Sequence, residues 1–295
     1  MKRFYSPLRY PGGKQQLADY VKQLISINKL YDGIYVEPYA GGAGIALDLL
    51  ISEYVRDIHL NDLDKNIYSF WYCVVNESDE MINRLLKTPA TIDNWELQHA
   101  ILVSDDELTP IIDRAFATLF LNRCNRSGIL NGGPIGGKAQ IGKWKINARY
   151  NAPELADRIR RIARYKGRIQ ISNKDCLDFL DNEKNILSKR PHLIYMDPPY
   201  YIKGKDLYLN AYKPEDHIKI RNYVRDNLAG YNWIVSYDAC DPIANLYEDF
   251  KCSEQILNYS ASKNHTKGRE FMFYQDNLKI PDDVLYINPV KYLMA

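Results

Sequence analysis

Ile34-Tyr-Val-Glu-Pro-Tyr-Ala-Gly-Gly-Ala-Gly-Ile-Ala-Leu-Asp-Leu-Leu50 is the stretch on which the fold class turns. Its first residues form a short β-branched and aromatic run of the kind that pairs as a buried strand. Glu37-Pro38 closes that strand. Gly41, Gly42 and Gly44 then supply a turn, and an apolar pattern with helical spacing runs to Leu50. Strand, glycine turn and helix in this order form the layout of nucleotide-type cofactor sites in open α/β sheets. The glycines let backbone approach a ligand with no Cβ in the way. Their spacing is not G-x-G-x-x-G, which speaks against a dinucleotide carrying a pyrophosphate. Asp57-Ile-His-Leu-Asn-Asp62 reads as the next strand. Asp62 falls near the offset of about 20 residues at which an acid meets ribose hydroxyls in such sheets.

The strand and helix alternation resumes late in the chain. Arg168-Ile-Gln-Ile-Ser172 is a short alternating strand, followed by Lys174-Asp175 at a strand end and an apolar segment to Leu180. Leu193-Ile-Tyr-Met-Asp-Pro-Pro-Tyr200 is a buried strand running into an acid, two prolines and an aromatic. Pro198 has a fixed φ, and Pro199 pushes Pro198 out of the helical region, so this turn is stiff. Asp197 and the Pro198 carbonyl form a rigid acceptor pair beside the flat Tyr200 ring, suited to holding a planar amine. A helical pattern spans Glu215 to Leu228, and Trp233-Ile-Val-Ser-Tyr-Asp238 is another strand. Gln255 to Tyr259 and Glu270 to Tyr274 read as a hairpin with a basic tip. Near the start, Ser6-Pro-Leu-Arg-Tyr-Pro-Gly-Gly-Lys14 is a glycine-bearing loop before a helical run from Leu17 to Ile27. Lys14 near a helix start is suited to an anion, but the loop is not a Walker P-loop because Gln15 stands where Ser or Thr belongs.

The middle of the chain breaks the alternation and divides by charge. Asn76 to Asp113 holds nine acids against two bases, and residues 122–168 hold twelve bases against two acids. The whole chain of 295 residues carries a formal charge of only +2. The local block of +10 is therefore the footprint for a polyanion, since no global field exists to supply one. Inside it, Asn122 to Lys145 is rich in Gly, Asn and Arg and reads as a loop or hairpin able to order on a surface. Arginine reads guanine bidentately and asparagine reads adenine, so Arg123, Asn125 and Arg126 are candidate base readers, with Lys138, Lys143 and Lys145 for phosphates. The 24 tyrosines add possible stacking surfaces for bases. The five cysteines are scattered with no C-x-x-C pair, which fits a reducing compartment and offers no metal-ligand spacing. The N-terminus has no signal-type apolar region and no run spans a bilayer, so the expected setting is the cytoplasm.

Taken together, Tyr10-Pro-Gly-Gly-Lys14, Val36 to Gly44, Leu60-Asn-Asp62, Lys174-Asp175 and Tyr195-Met-Asp-Pro-Pro-Tyr200 resemble, in order, the motifs of Dam-type (D12 class) DNA N6-adenine methyltransferases. The resemblance implies a Rossmann-like α/β methyltransferase sheet using S-adenosylmethionine. It also implies a discontinuous catalytic domain, residues 1–65 and 166–295, around a mainly helical target-recognition insertion at 66–165 that carries a hairpin loop. Carried onto this sequence, Tyr10, Lys14, Glu37, Gly41, Gly42, Gly44, Asp62, Asp175 and Asp197 would serve the cofactor. Asp197, Pro198, Pro199 and Tyr200 would form the catalytic element. The expected partner is double-stranded DNA, met by a monomer with no metal in the cytoplasm of a bacterial or phage-infected cell. Two other readings stand beside this one: an RNA adenine-N6 methyltransferase, and a catalytically silent nucleic-acid-binding module with the same fold. Cytosine C5 methylation is excluded by chemistry, because it needs a thiolate nucleophile from a Pro-Cys turn and no cysteine here follows a proline.

Overall fold

A computed structural model of the chain describes residues 4–9, 14–104, 106–202, 212–259, 266–281 and 284–290. After a 3-10 turn, Lys14–Leu17, come helix α1 (Ala18–Ile27), strand β1 (Ile34–Glu37), α2 (Gly44–Ile51) and β2 (Asp57–Asn61). Five helices follow: α3 (Lys65–Asn76), α4 (Ser78–Lys87), α5 (Ile92–Ser104), α6 (Ile111–Cys124) and α7 (Ala152–Ala163). The chain then returns to the sheet with β3 (Ile169–Ser172), α8 (Cys176–Leu187), β4 (His192–Met196), α9 (Pro214–Asn227), β5 (Trp233–Asp238) and the short α10 (Asp241–Leu246). It closes with β6 (Lys251–Tyr259) and β7 (Thr266–Tyr274). The two strands of this last pair are longer than the apolar-aromatic runs suggest. Their connection, residues 260–265, which holds most of the expected basic tip, lies outside the described residues.

The seven strands lie in one sheet in the order β3-β2-β1-β4-β5-β7-β6. The first five pair in parallel, and β7 joins β5 and β6 antiparallel. This is the Rossmann-like sheet the motifs imply. The order reverses between β1 and β4, so the carboxyl ends of these two strands open the crevice in which such sheets bind ligands. Glu37 and Asp197 lie at those two ends, one from each side of the switch.

Side chains alternate across a strand, and here that period splits the core in two. Tyr35, Leu193, Tyr195, Ile234, Met272 and Tyr274 face α1, α2 and the helical middle of the chain. Ile34, Val36, Ile194, Met196, Val235 and Phe273 face α8, α9 and α10. Helix α3 docks on the first face through Phe70 and Trp71, both fully buried, and Trp71 donates to the Gly41 carbonyl at 2.8 Å. The helical middle therefore shares its core with the sheet and braces the glycine turn directly. Among the described residues no helix is long and apolar enough to cross a membrane.

Candidate active site

The glycine turn after β1 is tightly wound. Gly41 and Ala43 both take left-handed backbone, with φ of 43° and 45°. Ala43 is a costly residue for that conformation. It is held there as the residue preceding α2, with its N–H on the Ala40 carbonyl at 2.6 Å. Gly42 lies within this turn and Gly44 opens α2. Glu37 is buried and accepts from the Ala46 N–H of α2 at 3.3 Å. Burial pushes its carboxyl up to about 8, with Asp197 adding to the rise against the hydrogen bonds that oppose it.

Asp62 stands just past β2 and faces this turn. Its Oδ2 accepts from the Gly41 N–H at 2.9 Å and its Oδ1 from the Asp64 N–H at 3.0 Å. Desolvation, and then the neighbouring Asp64 carboxylate, push Asp62 up to about 7, while the two backbone donors pull it back. Buried Asn61, beside it, ties three segments together. Its amide donates to the Pro38 and Lys174 carbonyls, each at 3.0 Å, and accepts from the Lys174 N–H at 2.9 Å. The carboxyl ends of β1, β2 and β3 are thus pinned to one another. Asp175, one residue beyond Lys174, is exposed and caps α8 by accepting from the Leu177 N–H at 2.9 Å. Tyr10 lies outside the described residues.

Past β4 the structure gathers a charged cluster. The Lys14 ammonium, placed by the 3-10 turn before α1, lies 2.9 and 3.1 Å from the two carboxylate oxygens of Asp197. It also donates to the Tyr200 hydroxyl at 2.9 Å and pairs with Glu270 at 3.1 Å. Tyr200 donates in turn to Glu270 at 2.7 Å, and Ser236 donates to Asp197 at 2.9 Å. Tyr195 shares a hydrogen bond of 2.9 Å with Ser236. The two-residue period explains the convergence: Tyr195 and Asp197, Ser236, and Glu270 fall on the α1 side of their strands. Burial pulls the Lys14 ammonium down, but Asp197 and Glu270 more than offset this and hold it well above the ordinary lysine range. Burial raises Glu270, Lys14 draws it back, and Asp197 raises it further, leaving it above the carboxylate range. Lys14 was expected to face the cofactor. It stands on the carboxylate of the Asp-Pro-Pro-Tyr element.

Pro198 and Tyr200 are buried, whereas the Asp197 side chain keeps 21% of its surface open. Asp197 is thus reachable while its neighbours are fixed. The Tyr200 ring lies 4.8 Å from the Lys14 nitrogen. Glu270, Ser236 and Asn61 were not singled out by the sequence reading. Their common signal is a polar residue inside an apolar strand run, clearest in Glu270-Phe-Met-Phe-Tyr274.

The basic loop between α6 and α7 is built from short turns, with a single antiparallel bridge at Asn125 and Pro134. Asn125 is 0% exposed and spends its amide inside the loop. It accepts from the Trp95 indole at 2.6 Å and donates to the Ile129 and Leu130 carbonyls at 2.9 Å. Arg123 donates to the carbonyls of Arg149 at 2.7 Å and Pro7 at 3.4 Å. Burial, with Arg158 and Arg9 nearby, lowers its guanidinium to about 10. Of the expected base readers, these two are turned inward and shape the loop. Arg126, Lys138, Lys143 and Lys145 are exposed. Lys138 pairs with Glu96 at 3.3 Å, and Lys143 lies 5.7 Å from the ring of Trp144, which is 66% exposed. Buried Asn122 joins the loop to the N-terminal segment, exchanging hydrogen bonds of 2.7 Å with the Arg9 backbone and donating to the Gly128 carbonyl at 2.9 Å. Gly128 has φ of 79°, and a Cβ there would lie 2.4 Å from the Arg9 carbonyl oxygen, so the junction requires glycine.

The family model of D12 class N6 adenine-specific DNA methyltransferases matches residues 10–264. The chain belongs to that family. It is a methyltransferase of the adenine-specific, DNA-directed class, and the match spans the glycine turn, Asp62, the helical middle and the Asp-Pro-Pro-Tyr element. No curated protein matches the chain. Among the described residues there is no group of three or more His, Cys, Asp or Glu placed to hold a metal ion. All five thiols are buried. Burial pushes Cys73, Cys124 and Cys176 up to about 12, far from a reactive thiolate.

Proposed function

We propose that the protein transfers the methyl group of S-adenosylmethionine to N6 of an adenine turned out of double-stranded DNA at a specific site. The observation that carries this reading is the position of Asp197: partly open, at the switch point, across from the glycine turn and Asp62. The residues present fit the cofactor. Asp62 offers a carboxylate whose oxygens each take one backbone donor and retain acceptor capacity for a ribose diol. Gly41 and Gly42 leave the turn without side chains where the methionine part would lie. Glu37 adds a buried carboxyl that desolvation pushes up to about 8. When bound, S-adenosylmethionine supplies an electrophilic methyl on its sulfonium.

The exocyclic amine of adenine is a poor nucleophile because its lone pair is drawn into the ring. Asp197 and the Pro198 carbonyl each accept one of its N–H bonds, which favours a pyramidal nitrogen and frees the lone pair for attack. This is catalysis by positioning and electrostatics, with no covalent enzyme intermediate. Pro198 and Pro199 hold the second acceptor rigid. Tyr200, anchored at its hydroxyl, offers its ring to the extruded base, since the amine is out of reach while the base stays in the duplex. Asp175 lies on the β3 side, where the adenine ring of the cofactor is expected. The test is transfer of label from methyl-labelled S-adenosylmethionine to unmethylated DNA or RNA, followed by digestion to nucleosides. Label in N6-methyldeoxyadenosine is expected. No label in any adenine rejects enzymatic function, and label confined to RNA rejects DNA as substrate.

The exposed cations of the loop, Arg126, Lys138, Lys143 and Lys145, are read as the phosphate contacts. Replacing Lys138, Lys143 and Lys145 together by Ala should lower the slope of log K for DNA against log salt by about 3, since each neutralised phosphate contributes about 0.9. Fluorescence anisotropy across a salt series reads this slope, and an unchanged slope moves the DNA face elsewhere. Asn125→Ala should behave differently. It leaves the Trp95 indole and two carbonyls without partners, costing about 1–3 kcal/mol of stability by chemical denaturation.

A further inference from the structure

We infer that Glu270 is a positioning residue for methyl transfer: it holds the Lys14 ammonium as a second counter-ion, so that Asp197 can exchange its bonds to Lys14 for bonds to the incoming amine. This rests on the reading of Asp197 as the acceptor of the adenine amine. In the structure both Asp197 oxygens are already taken by Lys14, and Oδ1 takes Ser236 as well. An ammonium has three N–H donors, and Asp197, Tyr200 and Glu270 account for all three here. Oδ1 thus has both its acceptor positions used, by Lys14 and Ser236, while Oδ2 keeps one. An amine that donates to Oδ2 shares that oxygen with Lys14, and full engagement of Asp197 by the amine draws Lys14 away from it. Were Asp197 the sole anion beside this buried lysine, the displacement would strand an uncompensated charge, which is strongly unfavourable. Glu270 removes that obstacle, because Lys14 stays paired at 3.1 Å while Asp197 turns to the substrate.

The placement of Glu270 suits this task. It is 2% exposed and sits in the central strand of an antiparallel trio, across from Asp238 on β5 and Gln255 on β6. Strand pairing on both sides fixes its backbone, so the carboxylate offers Lys14 an immobile partner. The same Oε1 accepts from Tyr200, and a single residue thereby fixes the lysine and the ring on which the base would stack. The ionisable groups around Glu270 are Lys14, Asp197, Tyr200 and Tyr195, with Asp238 opposite it on the neighbouring strand. Glu270 acts through Lys14 and Tyr200 and touches no reacting atom.

Glu270→Gln keeps the shape and removes the charge. Direct acid–base groups contribute about 10²–10⁴-fold, and a group acting through Lys14 should contribute less, so kcat is expected to fall about 10–100-fold. Affinities for S-adenosylmethionine, by calorimetry, and for unmethylated DNA, by anisotropy, should stay unchanged. The acid limb of the kcat–pH profile should also move, because the group whose ionisation holds Lys14 is gone. Wild-type kcat with a wild-type pH profile overturns the inference, as does a fall in kcat matched by loss of both affinities, which marks a merely structural role. If Glu270→Gln does not fold, Glu270→Asp carries the test. Its shorter reach should lower kcat while leaving both affinities and the acid limb in place, and wild-type kcat in it overturns the inference. The reading of Asp197 fails separately, when the wild type transfers no label or Asp197→Asn retains turnover. If both of those controls behave as expected and Glu270→Gln turns over like the wild type, only the role of Glu270 falls.

Discussion

Asp197→Asn is expected to lower methyl transfer by about 10³-fold or more, at the upper end of what removal of one preorganised electrostatic group costs. The change is nearly isosteric, so the chain should fold. What it alters is the ability to accept. A carboxylate offers two acceptor oxygens, whereas an amide offers one oxygen and two N–H donors. An amide nitrogen turned toward the adenine amine sets donor against donor. An amide nitrogen turned toward Lys14 does the same with the ammonium, which today spans both Asp197 oxygens at 2.9 and 3.1 Å. Either orientation spoils the clamp, and the loss of charge leaves Lys14 with Glu270 as its remaining anion. DNA binding should persist, because the proposed phosphate contacts, Arg126, Lys138, Lys143 and Lys145, lie far from this carboxylate in sequence. Single-turnover transfer of labelled methyl, beside anisotropy on the same DNA, separates the two quantities. Turnover near the wild-type rate would remove Asp197 from its proposed role.

Much of this site is visible in the sequence because it is built from strand ends, and strand ends are punctuated. The apolar run before Glu37-Pro38, the one before Asp197-Pro-Pro and the alternating run to Ser172 each mark where a strand stops. The sheet order then brings those stops together. The glycine turn was likewise readable as a place where backbone must bend sharply, although the sharpest non-glycine bend, at Ala43, carries no such mark. What stayed hidden depends on contacts between distant strands. Glu270 lies more than 70 residues beyond Asp197, and it reaches the cluster only because β7 inserts antiparallel between β5 and β6. Sequence spacing carries no trace of that insertion. The basic loop is only partly legible, for a related reason. Arg and Asn types alone suggest base readers, but whether a polar side chain faces outward is decided by burial. Asn125 meets Trp95, and Arg123 meets the carbonyls of Pro7 and Arg149. The lysines at 138, 143 and 145 stay exposed because long, strongly hydrated ammonium groups resist burial.

Asp62→Ala should weaken S-adenosylmethionine binding about 10–100-fold, the equivalent of losing a charged hydrogen bond worth about 1.5–3 kcal/mol. The pH dependence makes this prediction sharper. Accepting two hydroxyls of a ribose requires the ionised carboxylate, and desolvation together with Asp64 has pushed Asp62 up to about 7. In the wild type, calorimetric affinity should therefore hold at pH 8 and fall below pH 7, approaching a tenfold loss per pH unit as protonation competes with the diol. Asp62→Ala removes the group that titrates, so its weaker affinity should be flat over the same range. A wild-type affinity that does not respond to pH, or a variant that binds as tightly as the wild type, would take Asp62 out of the cofactor site. Stability without cofactor should run the other way. Asp62 and Glu37 both bind protons more tightly folded than unfolded, so their contribution is complete below the unfolded values near 4 and is lost as pH rises through about 7 and 8. The thermal midpoint should accordingly decline between pH 6 and pH 9 while cofactor affinity rises. Added S-adenosylmethionine should narrow that decline by mass action, because it binds the ionised form that the empty fold disfavours. The carboxyl that serves binding is thus kept at a cost to the empty fold, and opposite slopes in the two measurements are the signature of that arrangement.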